Sequence, residues 1–248
     1  MFPYLRLGPF LLQMPLLALF IGFWIGNTFV EREAVRLGLN KEKINNRIGY
    51  GLFGGIFGAR LVYAAQYASV YLANPLGLFS LNTSTLSPIG GFLIGIAAAA
   101  AYGYRHKLPF RKTLDALTPG FAFFMIMIGV SHLLSGNAYG APTRVPWAVY
   151  LWSDYRQPTQ LYEIFFALMI FTIILPRMIP ANAPGLRFVQ FIALSAVARV
   201  FIEAFRGDSV LWLDGYRAAQ VMGLLVLIIC IVLLRQWEGT EQYESNTQ

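Results

Sequence analysis

The sequence predicts an all-α polytopic membrane protein with about seven transmembrane helices, and three observations carry that prediction. Of the 248 residues, 57% are apolar and only 12% charged, against roughly 25% charged for a soluble globular domain. The apolar runs are about 20 residues long, enough for a helix to cross about 30 Å of hydrocarbon and about twice what a strand of an outer-membrane barrel uses. The cations cluster in alternate gaps between those runs.

Seven runs can be followed along the chain, at roughly 9–30, 48–71, 88–104, 115–134, 160–176, 186–205 and 216–235. The first is longer than the apolar core of a secretory leader. It leads into Glu31-Arg32-Glu33-Ala34-Val35-Arg36 rather than a small-residue cleavage site, so it is expected to stay as an anchor. The second is rich in glycine (Gly51, Gly54, Gly55, Gly58), as is the start of the third (Gly90, Gly91, Gly95), the pattern of helices packed backbone to backbone. The fourth holds His132 near its end. The fifth follows Pro158, with Thr159 placed to cap it and Glu163 near its positive end. The sixth carries Arg199 and Glu203. The seventh contains Cys230, the single cysteine, which reads as a small buried residue and permits neither an internal disulfide nor a cysteine metal site. Residues 1–237 are therefore expected to form one transmembrane domain, and the polar, acidic stretch 238–248 a short disordered tail.

Orientation follows from the cations. Arg32, Arg36, Lys41, Lys43 and Arg47 follow the first run, Arg105, Lys107, Arg111 and Lys112 the third, Arg177 and Arg187 flank the gap after the fifth, and Arg235 ends the seventh. The opposite side holds only Arg6, Arg144, Arg156, Arg206 and Arg217, which puts the N-terminus outside and the C-terminus in the cytoplasm. The net charge of +7 is accounted for by topology and requires no nucleic-acid partner. No matched pair of broken helices marks the two halves, which argues against an inverted-repeat transporter.

Charges inside such runs are costly, by about 2.5 to 17 kcal/mol depending on the measure, so they mark a partner or a task. Glu163, Arg199 and Glu203 are three of them. Positions 199, 203 and 206 stand at i, i+4 and i+7, so Arg199, Glu203 and Arg206 share one helical face. That face suits either a self-neutralising ion pair or a guanidinium that grips a phosphate while Glu203 fixes its geometry. His132 is the histidine outside the basic loop that contains His106, and it reads either as a hydrogen-bonded packing residue or as a general base. The longest gap, from Ser135 to Pro158, is rich in Gly, Pro and aromatic residues and is expected to be an ordered, site-bearing loop. There is no HExxH, no cysteine–histidine cluster and no G-x-S-x-G elbow in the chain, so a zinc protease and a serine hydrolase are both disfavoured.

Four stretches carry a family resemblance. They are Leu114-Asp115-Ala116-Leu117-Thr118-Pro119, Tyr139-Gly140-Ala141-Pro142-Thr143 with Val145-Pro146-Trp147-Ala148-Val149, Arg156-Gln157-Pro158-Thr159-Gln160-Leu161-Tyr162-Glu163, and Arg199-Val-Phe-Ile-Glu203-Ala-Phe-Arg206. With Gly58-Ala59-Arg60-Leu61 and Gly90-Gly91, they resemble the prolipoprotein diacylglyceryl transferases in order and spacing across most of the chain. That resemblance implies seven spans with an outward N-terminus, no cofactor, and residence in the bacterial cytoplasmic (inner) membrane. It implies an enzyme that moves the diacylglyceryl group of phosphatidylglycerol to the lipobox cysteine of a preprolipoprotein. By it Arg199 is the phosphate-side arginine, Glu203 its partner, and Glu163, Tyr162 and Gln160 a facing wall. His132 joins Arg199, Glu203 and Glu163 as the expected catalytic set. Arg156, Gln160, Tyr162, Arg206, Asn137, Tyr139, Gly140 and Arg60 are the expected substrate-binding residues.

The sequence also departs from the family pattern. An ungapped alignment puts Gly129 where the family's signature has an arginine, His132 at an asparagine and Asn137 at a glutamate. Ile89 replaces a histidine before the Gly-Gly pair, and the Arg-Trp-Tyr run of the first span has no counterpart near Gln13-Met14-Pro15. Either Arg156 or Arg206 takes over the phosphate and His132 the thiol proton, or the scaffold serves another lipid donor or acceptor. A non-catalytic lipid-binding or lipid-translocating protein is the alternative of a different class.

Overall fold

In a computed structural model of the chain, residues 3–8, 10–79, 85–175, 183–212 and 215–245 are described. Arg177, one of the orienting cations, lies outside them. The chain divides into two compact units, Met1–Glu33 with Leu114–Gln248, and Ala34–Thr113.

The protein is mostly helical. The elements in order are β1 (Tyr4–Leu7), β2 (Phe10–Gln13), α1 (Met14–Arg36), α2 (Lys41–Gln66), α3 (Ala68–Ala73), a 3₁₀ turn (Pro75–Phe79), α4 (Pro88–Arg105), α5 (Phe110–Ser135), β3 (Val149–Leu151), β4 (Asp154–Arg156), α6 (Thr159–Ile174), α7 (Leu186–Glu203), β5 (Leu211–Trp212), β6 (Tyr216–Arg217) and α8 (Ala218–Ser245). Four helical stretches, Met14–Arg36, Lys41–Gln66, Phe110–Ser135 and Ala218–Trp237, are long and apolar enough to cross a membrane, and α6 is a shorter apolar helix. Large apolar side chains such as Phe20, Trp24, Phe53, Phe57, Phe92 and Ile228 face outward. An apolar surface of that extent suits lipid rather than water, and the protein is a polytopic membrane protein.

The sequence expectations need several corrections. Three two-stranded antiparallel hairpins, β1–β2, β3–β4 and β5–β6, add to the helices. They escape a hydropathy reading because their strands are two to four residues long. The first helix begins at Met14 rather than residue 9 and runs through the charged stretch to Arg36, since a ladder already nucleated extends through Glu, Arg and Ala at little cost. The same reasoning applies to α8, whose backbone stays helical to Ser245, into the stretch expected to be disordered; residues 246–248 lie outside the description. Thr159 is a helical residue and not the cap of α6, whose N-cap is Pro158 without a side-chain bond. Cys230 is buried, as expected.

In the smaller unit α2 starts at Asn40, whose Oδ1 accepts from Lys43 N at 3.0 Å, and α4 starts at Ser87 with Pro88 in its first turn. These two helices meet along their glycines. A Cβ on Gly91 would stand 2.9 Å from Gly55 O, and one on Gly95 2.8 Å from Gly51 O, so the close backbone packing read from the sequence is present.

In the larger unit the core is built by α5, α6 and α7 around Ala122, Ile170, Ile174, Phe191, Ala198 and Ile202. Phe29 of α1 joins Phe123 and Phe171 in an aromatic triangle with centroids 5.2 to 5.7 Å apart. α8 packs on α7, where a Cβ on Gly223 would come within 2.7 Å of Val200 Cγ2. α7 begins at Gly185 with φ of 91° and no cap of its own. Asp115 of α5 supplies one, its carboxylate accepting from Gly185 N at 2.5 Å and Phe188 N at 3.0 Å. Arg187, in the next turn, is fully buried and ion-paired with Glu33 of α1. The C-terminal end of α7 is thereby fixed in register against α5 and α6, where the remaining charges lie.

Candidate active site

The site is assembled by the last turn of α5, the first two turns of α6 and the last two turns of α7, all in the larger unit. On α7, Arg199 Nη2 lies 3.0 Å from Glu203 Oε2, the i,i+4 contact that the spacing predicts. The chain leaves the helix after Glu203, and Arg206 folds back so that its Nε is 3.8 Å from the same oxygen. Glu203 is buried, with 2% of its side chain exposed, between two guanidinium groups.

Glu163 of α6 joins these charges to α5. Its Oε1 accepts from Arg206 Nη1 at 3.0 Å and lies 3.8 Å from Arg199 Nη1. Its Oε2 is 2.6 Å from His132 Nδ1. Glu163, Arg199, Glu203 and His132, expected to act together, are thus one connected cluster. A sixth member was not anticipated: Asp208 receives Nε and Nη2 of Arg206 in a two-point bond at 2.9 and 2.8 Å. Burial tends to lower the pKa of the Arg206 guanidinium, but the bonds to Asp208 and the charges of Asp208, Glu163 and Glu203 outweigh it and raise the pKa above its ordinary value. Arg206 is fully engaged with carboxylates. Arg199 is the most open member of the cluster, its side chain 42% exposed, and His132 is next at 31%.

The loop before α6 is ordered by the residues that the resemblance marked as substrate-facing. Gln160, only 3% exposed, donates through Nε2 to Asn137 O at 2.9 Å, and Thr159 donates to Ala138 O at 2.6 Å. Arg156 donates to Leu151 O and Gly140 O at 3.1 and 3.3 Å and lies 4.9 Å above the Tyr139 ring. Tyr162 donates to Gln157 Oε1 at 2.9 Å and accepts from Trp147 Nε1 at 2.8 Å. Gly140 pairs with Arg206 in an antiparallel bridge, and a Cβ there would stand 2.2 Å from Gln157 O. In this geometry Arg156, Gln160, Tyr162 and Gly140 hold the loop against the end of α7. Asn137 is exposed beside them. Arg60 belongs to the smaller unit, where it is hydrogen-bonded to Thr85.

Sequence reasoning missed Asp208, Arg217, Trp147 and Gln157. Arg217 Nη1 reaches the carbonyls of Glu203 and Arg206 and, at 3.1 Å, Ser209 Oγ. It thereby closes the turn that carries Arg206. The proximity of Asp208 to Arg206 in sequence was the available signal, and an i,i+2 pair outside a helix has no periodicity to reveal it.

A buried carboxylate and a half-buried one that steady an open guanidinium, beside a histidine with one ring nitrogen committed to a carboxylate, can bind an anion and move a proton. The chain is 28% identical over 207 residues to a phosphatidylglycerol–prolipoprotein diacylglyceryl transferase of Clostridioides difficile, covering 84% of this chain and 83% of that protein. It is 27% identical over 231 residues to the protein of the same name from Pseudoalteromonas translucida, covering 89% and 86%. The counterpart in Photobacterium profundum is 29% identical over 215 residues, covering 82% and 79%. A model of the prolipoprotein diacylglyceryl transferase family matches residues 4–236, and the chain belongs to that family.

Proposed function

We propose that the protein transfers the diacylglyceryl group of phosphatidylglycerol to the lipobox cysteine of a preprolipoprotein, at the outer face of the bacterial cytoplasmic membrane. The acceptor sulfur forms a bond to the terminal glycerol carbon of the diacylglyceryl group. The bond from that carbon to the phosphate oxygen breaks, and its electron pair leaves with glycerol phosphate. Such a step needs a cation for the departing phosphate and a base for the thiol.

Arg199 carries this assignment. Its guanidinium is the open cation of the cluster, held by Glu203 at 3.0 Å while much of its side chain stays exposed. Arg206 directs each of its three nitrogens at Asp208 or Glu163 and serves as scaffold. Arg156 likewise donates to backbone carbonyls. One arginine therefore takes the phosphate role, in a chain that lacks the usual signature arginine at Gly129.

Seven spans with the N-terminus outside go with this reading. Support comes from helices α1, α2 and α4 to α8, each of which overlaps one of the seven apolar runs, and from the cations, which alternate between the gaps. With that topology the cluster lies toward the outer leaflet, where a secreted precursor meets phospholipid. The test is to incubate the purified protein with phosphatidylglycerol and a lipobox peptide and to look by mass spectrometry for a peptide heavier by one diacylglyceryl group. Absence of that product, where another family member forms it, sinks the proposal; peptide-independent movement of labelled lipid between leaflets would favour translocation instead.

A further inference from the structure

His132 occupies the place where the family's signature has an asparagine, and the structure gives this substitution a partner. The Nδ1 atom is 2.6 Å from Glu163 Oε2. A carboxylate only accepts hydrogen bonds, so in the neutral ring Nδ1 must carry the proton and Nε2 the lone pair. No partner of Nε2 is found among the described residues, and the side chain is 31% exposed. The backbone that carries the ring is tied as α5 ends, where His132 O accepts from Gly136 N at 2.9 Å and Ser135 Oγ at 3.2 Å.

The other oxygen of the same carboxylate faces the cations. Glu163 Oε1 lies 3.8 Å from Arg199 Nη1 and 3.0 Å from Arg206 Nη1. One carboxylate thus sets both the tautomer of the histidine and the position of the open guanidinium, and its two partners that are open to the outside flank it. A sulfur presented to Nε2 and a phosphate presented to Arg199 would lie on either side of a single carboxylate.

We infer that His132 is the general base that activates the acceptor thiol in this chain, with Glu163 as its positioning residue; this rests on the transferase reading above. Nε2 takes the S–H proton, the sulfur lone pair forms the bond to glycerol carbon, and the carbon–oxygen electron pair departs on the phosphate. The proton then passes from the imidazolium to the glycerol phosphate, which restores the neutral ring and balances the step. Groups facing the ring are Glu163 from α6, with Arg199 from α7 and Arg206 behind it, and Glu203 and Asp208 beyond.

The experiment follows product formation by the full chain in vesicles of phosphatidylglycerol with a lipobox peptide, as a function of pH. At pH 7, H132Q should lower kcat by about 100-fold or more, with the lipid concentration for half-maximal rate unchanged. Its deficit should shrink as pH rises past about 8.5, where a cysteine thiol ionises without help. E163Q should show a smaller loss with the same recovery, because the amide no longer enforces the tautomer. An undiminished rate in H132Q overturns the inference, and so does a deficit that persists at pH 9 in a variant whose thermal unfolding matches the parent. Should H132Q be unstable, E163Q carries the test alone: a rate equal to the parent's throughout the pH range overturns it. If the unaltered protein yields no product at any pH, the transferase reading itself has failed, a result distinguishable from failure of the variants.

Discussion

Two ionic clusters stand on the same pair of helices in the larger unit, and they differ in whether protein alone completes them. Toward the start of α5 and α7 are Asp115 and Arg187, joined by Glu33 of α1. Toward their ends are His132, Arg199 and Glu203, joined by Glu163 of α6. Arg187 and Arg199 are twelve residues apart, about 18 Å along a helix. Yet the side chain of the first is 0% exposed and that of the second 42%. In the closed cluster Arg187 pairs with the Glu33 carboxylate, and Asp115 receives two backbone N–H groups. At the open one Arg206 is satisfied, while Arg199 and Nε2 of His132 are left facing outward. Charges that only fasten helices together are best sealed; charges that must take a ligand cannot be.

The comparison can be broken most sharply at Arg187. R187A removes the cation of a buried ion pair with Glu33 and should lower unfolding stability by about 3–5 kcal/mol, read from denaturation in detergent. The pair E33L/R187M should recover most of that loss, since apolar replacement of a buried pair is often neutral. A small effect of R187A alone would show that water reaches this end as well.

R199A tests the other cluster. Turnover should fall by about 100- to 1000-fold, or about 2.7–4 kcal/mol of activation energy, while stability should fall by less than it does in R187A, because Arg206 still faces the Glu203 carboxylate at 3.8 Å. If R199A unfolded the protein as R187A does, the distinction between fastening and functional charge would collapse. G140A comes last. Its Cβ would meet Gln157 O at 2.2 Å, and relief of that clash should cost about 1–3 kcal/mol. Because Gly140 is bridged to Arg206, the activity loss should exceed what stability alone accounts for, measured as kcat in the folded fraction.

The α5 start illustrates how far hydropathy reaches. Asp115 and Arg187 belong to different apolar runs, and each was visible as a polar residue beside an apolar segment, but not that Asp115 would cap α7, seventy residues away in sequence. The long loop was expected to have a fixed structure, and it carries hydrogen bonds from Gln160 to Asn137 O and from Arg156 to Gly140 O, two residues also expected to bind substrate. A polar side chain in a membrane segment reads the same from sequence whether its partner is a ligand or a backbone carbonyl. The pairings of Trp147 with Tyr162 and of Asp208 with Arg206 carry no helical period, because these partners are met through loop geometry. Helix spacing has no say there.

What the sequence determined by itself was whatever depends on composition and period. The membrane class, the positions of the apolar runs, the close glycine packing in the smaller unit and the shared face of Arg199 and Glu203 all follow from residue type and a 3.6-residue repeat. The four segments of family resemblance were also there to be read. Only the tertiary structure decided which charges are sealed and which are open, that Arg206 is held by Asp208, and that His132 and Arg199 flank one Glu163 carboxylate. Those outcomes depend on where separate helices and the loops between them meet. Burial and hydrogen-bond geometry are properties of that meeting rather than of any one segment.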